Sequence, residues 1–404
     1  MTEAHEAYDV IVVGARCAGA PLAMLLARQG HRVLAVDRTP PTTDVVSTHY
    51  LQQYGLARLR SWGLLDEVLA TGATPITHMT ISHADSVIAG FADPIDGITA
   101  TLAPRRTALD PVLLRAAEKA GAEVRIGATV ADLVVEDGVV VGVRLQDAEG
   151  ATVVERARVV VGADGTRSRV AEAVGAQAYD VVAPACFIYY SYFTGMDVQF
   201  HSRIGLGQQQ VGAWPTNDGA TLVAVMRGRD RFAEFRRDVE GSFHEVLEQV
   251  VPGIAAQVRA GEQVERFIGI RYADNYYRTC AGPGWALVGD AGYHKDPFTG
   301  KGISDAFVHA ELLADRLHEG LTGARPMAEA LAEYQRRRDT DTRGAYEFTT
   351  QISDLDLSPE LQGLFRAVSG NDAATRQFLA MVGGGISGEE FFAPANIGSI
   401  MAAA

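Results

Sequence analysis

The chain has 404 residues, a formal net charge of −14, and 47% hydrophobic and 21% charged residues. That length holds a large core in one to three domains, and the balance is ordinary for a globular protein. The acidic surplus argues against a nucleic-acid partner or an anionic membrane surface.

In chain order, residues 8–13 (Tyr-Asp-Val-Ile-Val-Val) read as a buried strand running into a turn at Gly14. A helix follows Gly19, with Leu22, Leu25 and Leu26 on one face, and ends near Gly30. A second strand over 31–36 ends at Asp37, 18 positions after Gly19. This βαβ unit has the spacing of a dinucleotide fingerprint, in which the helix N-terminus meets a pyrophosphate and the acidic residue accepts ribose hydroxyls. Arg16 stands where the middle glycine is usual, so its side chain must either point outward or supply a positive charge. Asp37 disfavours a 2′-phosphate, which leaves FAD or NAD for this crevice.

Further along, Val46-Ser47-Thr48-His49-Tyr50-Leu51 forms a loop before a helix, and residues 76–91 alternate like strands. Ser47 and Thr48 read equally well as a plain helix cap. Arg106-Thr107-Ala108-Leu109-Asp110 opens a helix with Leu113 and Leu114 on its apolar face. Residues 123–126 give a strand leading to Val130, and 159–162 give another that turns at Asp164-Gly165. The stretch 187–193 alternates Phe187, Tyr189, Ser191 and Phe193 against Ile188, Tyr190 and Tyr192. One set is expected to look at the active centre, the other outward or into the core. Strands at 208–214 and 221–226 flank the turn Pro215-Thr216-Asn217-Asp218-Gly219, residues 230–261 read helical, and 267–270 is a further strand. Finally the apolar run 285–288 ends in Gly289-Asp290, and a loop rich in Pro and Gly (Pro297, Gly300, Gly302) feeds a helix from Ile303 to about Leu317. Its N-terminus offers unpaired N–H groups and partial positive charge, which suit a ring that is anionic when reduced.

The last segment resembles the second FAD-binding motif of the single-component flavoprotein monooxygenases, the aromatic-hydroxylase family, at Gly289, Asp290, Pro297, Gly300 and Gly302. It departs from that motif at Tyr293 and Ser304. The R-x-x-L-D segment at Arg106 and the Asp164-Gly165 turn resemble two more family motifs, and the order of all four fits over about residues 8–320. The resemblance implies an α/β fold with a discontinuous Rossmann-like FAD-binding domain (1–75, 100–180, 280–335). It also implies an inserted antiparallel β-sheet substrate domain (76–99, 181–279) and a helical C-terminal segment (336–404).

By the same resemblance, FAD would be held by Gly14, Ala15, Ala18, Gly19, Asp37, Arg38, Arg106, Val130, Asp164, Asp290, Gly300, Gly302 and Ile303. His49, His294 and Pro297 are the candidates beside the reacting ring, although each histidine reads as readily as structural. Tyr189, Phe193 and Trp214 are the candidate substrate contacts. The expected activity is hydroxylation or epoxidation of a hydrophobic, aromatic or polycyclic small molecule in specialised metabolism, with NADPH or NADH and O2 as co-substrates, through a C4a-hydroperoxyflavin.

An oxygen-independent reductase of the geranylgeranyl type is the alternative, since its R-x-x-L/F-D and G-D-A-G segments are also similar. Its aromatic-Pro signature survives only as Ala213-Trp214-Pro215. A flavin halogenase would need a lysine between flavin and substrate, and only Lys119, Lys295 and Lys301 exist. A non-enzymatic flavin-binding protein would need a filled substrate sheet. Cys17, Cys186 and Cys280 lack metal-ligand spacing, so no metal is expected. With an acidic start unlike a secretory n-region and no long apolar run, the cysteines point to a reducing cytoplasm. The chain is expected to be a monomer or homodimer.

Overall fold

The computed structural model describes residues 7–147 and 150–403; residues 1–6, which carry the acidic start, lie outside them. The first sheet places the strands Trp285–Leu287, Thr152–Gly162, Tyr8–Val13, Val33–Asp37 and Glu123–Ile126 side by side. All four junctions between them are parallel. Strands covered on both faces read as unbroken apolar runs, and Val10, Ile11, Val12, Val160 and Val161 are all buried. The helix Gly19–Arg28 packs with both Arg106–Ala120 and Gly302–Thr322 against this sheet.

The second sheet runs in the order Glu262–Gln263, Cys186–Thr194, Thr221–Gly228, Gln209–Pro215, Phe200–Gly205, Met79–His83, Ser86–Gly90. The segment near 79–90 therefore joins strands more than 100 positions away, through a parallel register of Met79 with Phe200. The turn read at 215–219 closes the expected hairpin, with Asp218 (φ +59°) and Gly219 (φ +69°) in the left-handed region that such turns require. One face of this sheet is covered by the amphipathic helices Val239–Val250 and Pro252–Ala260.

Three short strands, Ala178–Val182, Asn275–Arg278 and Tyr293–His294, make a third sheet that sequence pattern did not anticipate. At two to five residues they are too short to show a period. The last helix of the flavin motif runs on to Thr322, five residues past the expected end at Leu317. The boundary drawn at 335 falls inside one helix, Met327–Ile352. Beyond it lie the helices Pro359–Ser369, Asp372–Gly383, Gly388–Phe391 and Pro394–Ala402. No described helix is long and apolar enough to cross a membrane.

Candidate active site

Parallel pairing brings the carboxyl ends of four strands to one edge, and three of the four sequence motifs follow those ends, the Arg106 segment instead opening a helix. Gly14 follows Val13, Asp37 ends its strand, Asp164 follows Gly162, and Gly289-Asp290 follows Leu287. Open α/β sheets bind ligands in the crevice outside these ends.

The glycines show how tight this crevice is. A Cβ on Gly19 would lie 1.8 Å from the Gly14 carbonyl oxygen, and one on Gly14 would lie 2.5 Å from the Ala163 carbonyl oxygen. A Cβ on Gly289 would lie 2.8 Å from the Ala18 side chain, so the late motif abuts the early one.

Asp37 turns into the crevice, where Oδ2 accepts from the Ala15 N–H (3.0 Å) and Oδ1 from the Thr39 N–H (3.0 Å). Arg16 does not point outward. Its guanidinium crosses the crevice mouth to donate to Asp110 Oδ2 (2.9 Å) and Thr39 Oγ1 (3.0 Å). Asp110 is fully buried and also receives both ends of the Arg106 fork, at 2.7 and 2.9 Å. The fingerprint turn and the Arg106 helix are thereby tied by a two-arginine, one-carboxylate cluster.

Asp164 Oδ2 accepts from the Arg169 N–H (2.8 Å), while its Oδ1 is buried and unpartnered among the described residues. Val130 is buried and Arg38 exposed. Cys17 lies in the turn with its Sγ 3.4 Å from Asp110 Oδ1, and burial pushes its thiol far above the ordinary range, which makes it a packed turn residue and no thiolate.

The crevice fits FAD on observations of this chain alone. Neither Ala18, before the Gly19–Arg28 helix, nor Lys301, before the Gly302–Thr322 helix, caps its helix with a side-chain bond. Gly302 faces open space. Gly300 holds φ +61°, with the Tyr50 ring only 3.0 Å from where a Cβ would stand. Several polar atoms on the motif segments are buried without partners among the described residues: Asp164 Oδ1, His49 Nδ1, Gln52 Oε1 and both ring nitrogens of His294.

His49 is fully buried at φ +62°. Its Nε2 lies 2.5 Å from the Tyr192 hydroxyl. Burial, aided by Arg106 and Arg105, pulls its pKa down to about 3, so the ring stays neutral across ordinary pH. His294 sits by Asp290, with Nδ1 3.7 Å from Oδ1, and against the Tyr276 ring. Next to Pro297, the carboxyl of Asp296 is buried and its pKa is pushed up to about 6.

Beyond Pro297 a cavity with about 850 Å3 of empty space, part of it open to solvent, extends over the inserted sheet. Thr48, Tyr50, Gln52, Trp214, Pro297 and Gly300 line its near end, and its far wall comes from the C-terminal helices through Phe348, Phe365 and Phe378. Trp214 Nε1 donates to the Thr48 carbonyl (3.1 Å), which fixes the indole against the 46–50 loop. Among the described residues, Tyr50 is the single ionisable side chain in the lining. Its hydroxyl is bonded to Thr101 Oγ1 at 2.7 Å and is held well above its ordinary pKa by burial.

The expected substrate contacts divide. Trp214 lines the cavity, whereas Tyr189 and Phe193 do not. They face the opposite side of the sheet and pack with Phe235, Phe243, Val246 and Leu247. The covering helices need an apolar sheet face, and they take the Phe187–Tyr189–Phe193 set. Ile188, Tyr190 and Tyr192 pack on the other side of the sheet with Trp214 and Tyr50.

Sequence reading missed Gln52, Ser202 and Gln210, all in the lining. The signal for the last was the alternation 210, 212, 214 on the strand that carries Trp214. No cluster of three or more metal-ligating side chains occurs among the described residues.

Comparison with known proteins supports an FAD-binding fold. The model of a family described as FAD binding domain matches residues 7–349. The digeranylgeranylglycerophospholipid reductase of Methanosarcina acetivorans is 26% identical over 371 residues, covering 89% of this chain and 84% of that protein. Among solved structures, PqsL of P. aeruginosa in complex with 2-aminobenzoylacetate is 23% identical with a TM-score of 0.76, covering 93% of this chain and 99% of that one. The flavin-dependent brominase Bmp2 is 17% identical with a TM-score of 0.84, covering 98% of each chain. At these identities the two structures show the shared fold.

Proposed function

We propose, from the premise that this chain belongs to the FAD binding domain family, that it is a monooxygenase. It would take reducing equivalents from NADPH or NADH and place one atom of O2 on a flat, hydrophobic aromatic or polycyclic molecule. The coarser statement, that the chain is an FAD-dependent oxidoreductase, follows from the family itself.

The observation that carries the proposal is the cavity. It begins at the Pro297–Gly300 loop, has aromatic and aliphatic walls, and holds no charged side chain among the described residues. Bound FAD would accept a hydride and activate O2, and that chemistry is the cofactor's own. The protein's part is threefold. The N–H groups at the start of the Gly302–Thr322 helix would stabilise negative charge on the ring. The walls at Tyr50, Trp214, Phe200 and Phe298 would hold a flat molecule against the loop at roughly 3–3.5 Å from the reacting atom. The apolar far wall would keep water away while activated oxygen persists.

A second reading is favoured by the archaeal relatives, which are digeranylgeranylglycerophospholipid reductases. Saturating a carbon–carbon double bond consumes a hydride and a proton, so that reading asks the cavity for a proton donor. Its lining offers only hydroxyls and amides among the described residues. None of the three lysines lines the cavity, which weighs against a halogenase. Lys295 is paired with Asp305, and Lys301 lies over the Tyr54 ring.

The test is anaerobic reduction of the yellow protein with NADPH or NADH, followed by 18O2 and a panel of polycyclic phenols. One 18O per product molecule supports the monooxygenase. Saturation of a prenyl chain with no label and no O2 uptake replaces it with the reductase.

A further inference from the structure

The floor of the cavity is a grid set by strand register. Across the sheet, Ile81, Ser202, Gly212 and Ala224 form one row. The next row holds Ile204, Gln210 and Met226. In this apolar grid two polar side chains meet: Gln210 Nε2 donates to Ser202 Oγ at 2.7 Å. Both line the cavity, and both are more than nine-tenths buried, at 6% and 8% exposure.

The other end of the amide, Gln210 Oε1, is buried with no partner among the described residues. A buried amide oxygen facing an apolar space without a partner is costly. Ser202 Oγ accepts in this bond, so its own hydrogen remains free to donate. The pair therefore presents one acceptor and one donor side by side. Turning the amide over exchanges the roles and keeps the count, because the Gln210 NH2 would then donate and Ser202 Oγ would accept.

We infer that the Gln210–Ser202 pair is a substrate anchor that binds a hydroxyl group of an elongated flat molecule. A hydroxyl both donates and accepts, and so satisfies both members at once. Gln210 lies four residues along its strand from Trp214, about 13 Å at ordinary strand rise. Trp214 marks the end of the cavity at the 46–50 loop. The hydroxyl is thus held at the far end of the molecule from the carbon beside Pro297. The substrate class this selects is a phenol or alcohol of two or more rings' length, and a plain hydrocarbon chain would leave the pair unpaired. The inference rests on reading this cavity as the substrate site.

The test uses the FAD-loaded full-length protein and a matched pair of rod-like probes, trans-4-hydroxystilbene and trans-stilbene, titrated by flavin absorbance difference. The wild type is expected to bind the hydroxy probe at least tenfold more tightly. Gln210→Leu and Ser202→Ala should each reduce that ratio severalfold, and Gln210→Leu should bind stilbene as well as or better than the wild type. Equal affinities in the wild type, or a preference that survives unchanged in both variants, overturns the anchor. O2 uptake is scored separately. A hydroxyl preference without O2 uptake leaves the anchor standing and removes the monooxygenase reading. O2 uptake with no hydroxyl preference does the reverse.

Discussion

The cofactor crevice and the cavity proposed for the substrate are built from different materials. The crevice is made of backbone. Its shape comes from Gly14, Gly19 and Gly289, whose missing Cβ atoms let chain segments approach to distances no other residue tolerates. The cavity is made of side chains. Its walls come from the loop at 46–50, the 79–81 strand, three strands between 200 and 226, the loop at 297–300 and the helices beyond 348. A backbone device fixes residue type and spacing, so it leaves a mark in sequence. A side-chain wall fixes only a volume, which many combinations fill.

The sharpest way to break the crevice is Gly19→Ala, which would drive a methyl into the Gly14 carbonyl. The expected outcome is loss of the yellow, FAD-bearing protein, read by the flavin-to-protein absorbance ratio after purification. Next in size is Asp110→Ala, which removes the buried carboxylate shared by the half-buried Arg16 and Arg106 and leaves Arg16 its bond to Thr39. Removing one partner of such a cluster costs about 3–5 kcal/mol. Chemical denaturation should show that loss, and FAD affinity should fall with it.

A third probe uses pH on the two groups at the border between the regions. His49, whose folded pKa is about 3, is kept neutral by burial while the unfolded chain protonates near 6.5. Its contribution to stability is full above 6.5 and is lost as pH falls toward 3. Asp296 has the opposite sign. Its folded pKa of about 6 lies above the unfolded value of 3.8, so it penalises the folded state above pH 6 and the penalty fades as pH falls toward 3.8. Each slope approaches at most about 1.4 kcal/mol per pH unit, and between pH 6 and 4 they oppose each other. Thermal melts at pH 7 and pH 5 should separate them. Asp296→Asn should raise stability most at pH 7 and make the acid loss steeper, whereas His49→Gln should flatten it. Identical melting shifts in both variants would refute the assignment.

The smallest expected effect sharpens the comparison within one sheet. Tyr189→Phe touches the helix-covered face and should change stability by under about 0.5 kcal/mol, with no change in substrate or FAD affinity. Trp214→Phe removes the bond to the Thr48 carbonyl on the cavity face. It should cost about 1 kcal/mol of stability and alter substrate KM. If Tyr189→Phe moves KM and Trp214→Phe does not, the two faces have been assigned the wrong way round.

The same contrast explains what was legible. The βαβ unit, the Asp164 turn and the Gly289–Gly302 loop could be read because each is a strand end followed by residues that a tight turn demands, and the Arg106 helix because its apolar face repeats at helical spacing. The two faces of 187–193 could also be separated, since strand alternation is strict. Which face meets the cavity could not be read, because it depends on where the helices Val239–Val250 and Pro252–Ala260 come to rest. Arg16 was legible as an exception, but its partner Asp110 stands 94 positions away. Gln52 left no mark, because a polar residue before a helix is ordinary until the surrounding volume is known to be apolar, and Gln210 left only its alternation with Trp214.

The helix Met327–Ile352 crosses the line between the two materials. At one end, Tyr334 donates to the Leu287 carbonyl and Arg338 to the Gly292 carbonyl, both beneath the Gly289–Asp290 turn. At the other, Phe348 and Ile352 form part of the cavity wall. With 26 residues it is about 39 Å long. The flavin-motif turn and the cavity wall therefore hang on one helix. A chain cut or loosened along this helix is expected to weaken both together.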